Sequence, residues 1–143
     1  MHPLVRALRV DKMTLAGLEA TLRAHLEGKV EDLPLWSLAL TAADELRSRA
    51  ERVAEQVASD VLKAEAIPTA SVAGGGSLPG EELGSWGIAL THAEKSVDEM
   101  QRLLRASTPP VIGRIEDERL LLDLRSVFPE DLEALIRIVR ALG

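Results

Sequence analysis

Arg6 and Arg9 are the residues whose type and spacing most clearly suggest chemistry. In a helix, a spacing of three places both guanidinium groups on one side. Two such forks converging on one point can bind a phosphate-like anion through paired, charge-assisted hydrogen bonds. Spacing alone equally fits two solvated arginines. That reading has the advantage at this level, because charged residues are mostly exposed.

The other polar residues give weaker signals. Four lysines occur, Lys12, Lys29, Lys63 and Lys95, and none has a context that marks a Schiff-base lysine, so no catalytic lysine is assigned and all four are expected to be solvated. Gly74-Gly75-Gly76-Ser77 could turn backbone N–H groups toward an anion, but it lacks the Gly-Lys-Ser/Thr of a phosphate loop and is not GxGxxG. A tight connection between strands is the favoured reading of that run. His2, His25 and His92 lack zinc-ligand spacing, and no metal site is assigned. Glu116, Asp117 and Glu118 fall at an expected turn and read as a solvated run rather than an acid/base cluster. Trp36 and Trp86 are expected to anchor a core or an interface.

Bulk properties limit what these residues can serve. A chain of 143 residues suits one domain and can bury about two thirds of its unfolded surface. With 46% hydrophobic and 28% charged residues it reads as globular. There is no cysteine, so disulfides and thiolate metal sites are excluded. Net charge is −6 and aromatic residues are 2%, which disfavours both phosphate-backbone attraction and base stacking, so little intrinsic nucleic-acid affinity is expected. No apolar run approaches the roughly 20 residues of a membrane span. Arg6 and Arg9 interrupt any signal-peptide core, making cytoplasm the expected compartment.

These residues must be positioned by a short list of elements. Leu15, Leu18, Leu22 and Leu26 predict a helix over 11–27, with Asp11 capping it and Gly28 ending it. A polar link, 29–34, leads to a helical stretch over 35–59. Thr41 and Asp44 suggest a new start inside it, and Leu46, Ala50, Val53 and Val57 form its stripe. Residues 61–73 read as an extended segment bent at Pro68, and 85–91 as a second strand. Ser96 and Glu99 form a capping box for a helix over 97–106. Residues 111–116 and 119–124 read as a hairpin turning at Asp117-Glu118 with one buried face, and Pro129 opens a final helix. The order α-α-β-β-α-β-β-α implies an α+β fold, a small antiparallel sheet with helices on one face.

Three stretches carry a family resemblance. His2-Pro3-Leu4-Val5-Arg6-Ala7-Leu8-Arg9-Val10-Asp11-Lys12-Met13-Thr14 closely resembles a segment of bacterial selenocysteine synthases, the L-seryl-tRNA(Sec) selenium transferases, which use pyridoxal phosphate (PLP). Gly74 to Leu83, and Pro109 to Asp117 followed by Leu120-Leu121-Leu122-Asp123-Leu124-Arg125, resemble the same family in the same order.

The resemblance implies a C-terminal portion of such an enzyme, whose PLP lysine lies upstream of the His-Pro-Leu run. It implies that the fold is that of the C-terminal domain of fold-type-I PLP enzymes, preceded by a long connector helix. Residues 1–30 would be the tail of the large domain and that connector, and 31–143 the small domain. It implies that Arg6 and Arg9 hold selenophosphate in the parent, that the partner is seryl-tRNA(Sec), and that the enzyme is a homo-oligomer. This chain alone is then expected to be inactive, with no PLP bound and apolar surface left exposed. Two alternatives stay open: a stand-alone α+β interaction or regulatory module, and the small domain of a related PLP enzyme acting on a free amino acid.

Overall fold

The structure, a computed structural model, describes residue 4 and residues 8–72 and 82–143. Contacts group the chain into two units, Met1–Leu40 and Thr41–Gly143.

Helix α1 of the first unit spans Lys12–Leu26. It starts where expected because the Asp11 carboxylate accepts from the backbone N–H groups of Met13 at 2.9 Å and Thr14 at 3.0 Å, and from Thr14 Oγ1 at 2.7 Å. The hydrogen bonds from Thr14, backbone first, favour the ionised form and hold the Asp11 carboxyl below its ordinary pKa. The helix ends at Gly28, whose φ of 69° suits glycine. Gly28 N–H donates to His25 O at 3.3 Å and Lys29 N–H to Ala24 O at 2.9 Å, the paired bonds of a Schellman termination. A 3₁₀ turn, Val30–Asp32, leads into the short helix α2, Pro34–Ala39. No residue of α1 or α2 is buried, and Leu15, Leu18, Leu22 and Leu26 are exposed.

The expected helical stretch over 35–59 proves to be two helices, α2 and, in the second unit, α3 (Ala43–Val57). The break falls near Thr41, but Ala42 holds the capping position and supplies no side-chain bond. Asp44 and Glu45 instead place negative charge in the first turn, where the exposed N–H groups favour it. The stripe Leu46, Ala50, Val53 and Val57 is buried as its spacing requires.

Strand β1 (Leu62–Val72) pairs antiparallel with β2 (Glu82–His92), from Leu62–His92 to Val72–Glu82. The pairing runs unbroken through Pro68, which lies opposite Trp86, where a bend was expected. Pro68 is tolerated because β1 is an edge strand of a four-stranded sheet ordered β1-β2-β4-β3, with β3 at Arg114–Glu116 and β4 at Arg119–Asp123. Helix α4, Val97–Arg105, is capped by Ser96, whose hydroxyl accepts from Glu99 N–H at 3.2 Å. Residues 111–113 do not join β3. Their backbone is committed to α4, with Val111 N–H donating to Leu104 O and Gln101 Nε2 donating to Gly113 O. Asp117 and Glu118, at φ 49° and 58°, form the tight β3–β4 turn whose hand matches strand twist. Pro129 opens a 3₁₀ turn, and α5 follows at Leu132–Arg140.

All the helices of this unit lie on one face. Leu62, Ile88, Leu90, Leu120, Leu122 and Leu124 point to that side and pack with Leu46, Met100, Leu104, Leu135 and Val139 in a single core. Each such fully buried leucine contributes about 2 kcal/mol. Among the described residues no helix is long and apolar enough to cross a membrane.

Candidate functional site

Of the two arginines expected to bind an anion, Arg6 lies outside the described residues, and Arg9 is exposed in non-helical backbone just before α1. Gly74, Gly75, Gly76 and Ser77 likewise lie outside the described residues. The strand residues that flank them, Val72 and Glu82, are paired.

Polar side chains gather on the sheet face opposite the helices. Asp123, at the end of β4, accepts from Ser85 Oγ at 2.6 Å, from Ser71 Oγ, and from Arg125 N–H at 3.0 Å. Ser85 is 3% exposed and Arg125 7%. The Arg125 guanidinium donates to Gly84 O at 2.6 Å and to Thr41 O at 2.9 Å. One short segment, 123–125, thus holds β1, β2 and the start of the second unit. Sequence reading assigned Asp123 and Arg125 no role. The available signal was the polar Asp123 directly after the Leu120-Leu121-Leu122 run.

Farther along this face lies an open trough of about 630 Å³, floored by Ala89 and Leu121. Both are buried although the helices of this unit pack on the other face, and Leu121 was expected to sit on the less buried side of its strand. Side chains of the sheet itself cover that floor. Arg114 reaches the far edge strand, donating to Thr69 Oγ1 and to Ala70 O at 3.4 Å, and Arg119 pairs with Glu65 at 3.2 Å. Their long aliphatic stems shield apolar surface while the charged heads stay in contact with water. Glu116 pairs with Arg114 at 3.2 Å, and Asp117 and Glu118 are exposed at the turn. Among the described residues no group of three or more acidic, His or Cys side chains could hold a metal ion.

Histidines and lysines have structural surroundings. His92 Nδ1 accepts from the backbone N–H groups of Glu94 and Lys95, both at 3.0 Å, and Nε2 lies 3.0 Å from Leu142 O and 3.1 Å from Lys95 Nζ. Lys95 is half-buried and donates to Leu142 O, a correction to its expected solvation, since the last turn of the chain supplies a carbonyl for it. Lys12, Lys29 and Lys63 are exposed, with Lys29 on Glu27 at 2.9 Å. None of the four lysines lines the trough on the open sheet face. His25 meets Trp36 edge-on at 6.1 Å, and Trp36 is exposed rather than a core residue. Trp86 packs against the core with the Arg47 guanidinium 5.2 Å from its ring centroid.

The family model of L-seryl-tRNA selenium transferase matches residues 1–128, which include both arginines, the glycine run and the 123–125 segment. The chain belongs to this selenium transferase family. An L-seryl-tRNA(Sec) selenium transferase of Aquifex aeolicus is 39% identical over 143 residues, covering 99% of this chain and 31% of that protein. One from Moorella thermoacetica is 43% identical, with coverage of 99% and 31%. One from Wolinella succinogenes is 44% identical, with coverage of 96% and 30%. The chain therefore spans about 31% of the length of the selenium transferases it matches.

Proposed function

We propose that this chain is the C-terminal portion of a PLP-dependent transferase that converts L-seryl-tRNA(Sec) to L-selenocysteinyl-tRNA(Sec), with selenophosphate as selenium donor. The observation that supports this best is membership of the selenium transferase family over residues 1–128, with relatives of that name aligned to nearly the whole chain. In this reading Arg6 and Arg9 bind the selenophosphate anion with paired guanidinium forks, as the family resemblance of the run around them implies. PLP and its lysine belong to the other two thirds of the protein, and the present residues contribute anion binding and the wall of the cleft. The full-length protein is a cytoplasmic homo-oligomer, and the 143-residue chain alone does not turn over substrate.

The test is a conversion assay with the full-length protein, purified with PLP, given seryl-tRNA(Sec) and selenophosphate. Formation of selenocysteinyl-tRNA(Sec) is the expected result. Turnover of free serine with no reaction of seryl-tRNA(Sec) would overturn it in favour of a related enzyme acting on small amino acids.

A further inference from the structure

Among the described residues fourteen large apolar side chains are exposed, and eleven of them fall in the Met1–Leu40 unit. On α1 they follow a rule. Leu15, Leu18, Leu22 and Leu26 recur every three or four residues, within an arc of about 80° on a helix of 3.6 residues per turn. Each of the four is more than half exposed. The stripe of α3 has the same character, and it is buried. A stripe of this width marks the side on which a helix packs against an apolar surface. Yet α1 and α2 bury no residue, and α1, at 15 residues, has a length at which a helix in water is marginal without such packing. The core of the second unit is built from residues between Leu46 and Leu142.

We propose that the leucine stripe of α1 is a docking surface whose occupant is the part of the full-length protein that precedes this chain, so that the Met1–Leu40 unit completes the apolar core of that part. The inference rests on the function proposed above, in which this chain is a C-terminal portion. The chain spans 31% of the length of the selenium transferases it matches, which leaves a domain-sized partner on the same polypeptide. Two considerations favour that occupant over a second copy of the chain. The first is area. From Leu15 to Leu26 the stripe is about 17 Å long and, on a helix about 10 Å across, it covers far less than the roughly 800 Å² per partner of a stable association between separate chains. Parts of one polypeptide hold together through smaller interfaces, because the covalent link keeps them at high effective concentration. The second is extent. The exposed apolar residues continue around α2, with Leu35 at 64% and Leu40 at 57%. A surface able to cover both helices is larger than one partner helix.

The experiment compares amide hydrogen exchange of α1 in the full-length protein and in the 143-residue chain. Amides 16–26 are expected to exchange at least a hundredfold more slowly in the full-length protein, with those of 88–90 and 120–122 equal in the two. Equal exchange of α1 in both proteins would overturn the proposal. A photo-crosslinking residue then identifies the occupant, with Leu22→benzoylphenylalanine placed in the full-length protein. The expected product keeps the mass of a single chain and joins position 22 to a peptide that precedes residue 1. A product of dimer mass, a join to residues 41–143, or no join would overturn the proposal. If that variant does not fold, the same residue at Arg23, beside the stripe, gives the same expected and overturning results. Neither readout depends on turnover. A protected α1 in a full-length protein that leaves seryl-tRNA(Sec) unconverted would count against the proposed function and leave the docking standing. An active protein with α1 unprotected would do the reverse.

Discussion

The Ser85 hydroxyl donates to the Asp123 carboxylate at 2.6 Å, joining residues 38 apart in the chain, and Ser85 is 3% exposed. A buried hydrogen bond to a charged acceptor is worth about 1.5–3 kcal/mol. Replacing Ser85 with Ala should therefore lower unfolding free energy by about 2 kcal/mol, seen as a lower urea midpoint with an unchanged slope. An unchanged midpoint would mean that Asp123 finds a substitute donor at no cost.

Two glycines should respond to alanine in opposite directions. A Cβ at Gly87 would sit 2.6 Å from Leu122 O and 3.0 Å from the Leu121 side chain, and the carbonyl belongs to backbone that cannot give way. Gly87→Ala should cost about 1–3 kcal/mol, the usual cost of overpacking. Gly17 lies in α1, and a Cβ there would meet nothing within 4 Å, so Gly17→Ala should raise helicity, with a gain of up to about 1 kcal/mol. Urea unfolding checks the first and far-UV circular dichroism the second.

The β3–β4 turn holds Asp117 and Glu118 in the left-handed region at φ 49° and 58°. Asn-Gly is the pair that adopts this turn most readily. The Asp117→Asn/Glu118→Gly double variant should be stabilised by up to about 1 kcal/mol, measured as a rise in melting temperature. A fall would show that the two acidic side chains contribute more than their backbone conformation costs.

Acidification should loosen the start of α1. The Asp11 carboxyl is held below its ordinary pKa by hydrogen bonds from Thr14, so its cap is present at neutral pH and lost as pH falls through that lowered value. Helicity of α1 should therefore fall below about pH 4, the ordinary carboxylate range. In Asp11→Ala the same pH step should be absent from circular dichroism at 222 nm, with lower helicity already at neutral pH.

The elements were legible where one local pattern decides them. Leu46, Ala50, Val53 and Val57 fixed the buried face of α3, Ser96 the start of α4, and Asp117-Glu118 the turn of the small hairpin. Boundaries slipped where distant partners decide. Residues 111–113 left the strand because α4 takes their backbone bonds, and Pro68 stayed in register because its strand is at an edge. The Asp123–Arg125 hub was not legible at all, because its partners Thr41, Ser71, Gly84 and Ser85 are scattered along the chain and share no spacing rule. Type and spacing raised Arg6 and Arg9 as candidates, and only the run that surrounds them favoured anion binding over two solvated arginines.

The central claim is most directly tested by initial rates of the full-length enzyme against selenophosphate concentration, for wild type and for Arg6→Ala and Arg9→Ala. Losing one charge-assisted contact of about 1.5–3 kcal/mol corresponds to at least a tenfold weaker hold on the anion. The account predicts that each variant raises KM for selenophosphate at least tenfold while KM for seryl-tRNA(Sec) stays unchanged. An unaltered selenophosphate dependence in both variants would contradict it.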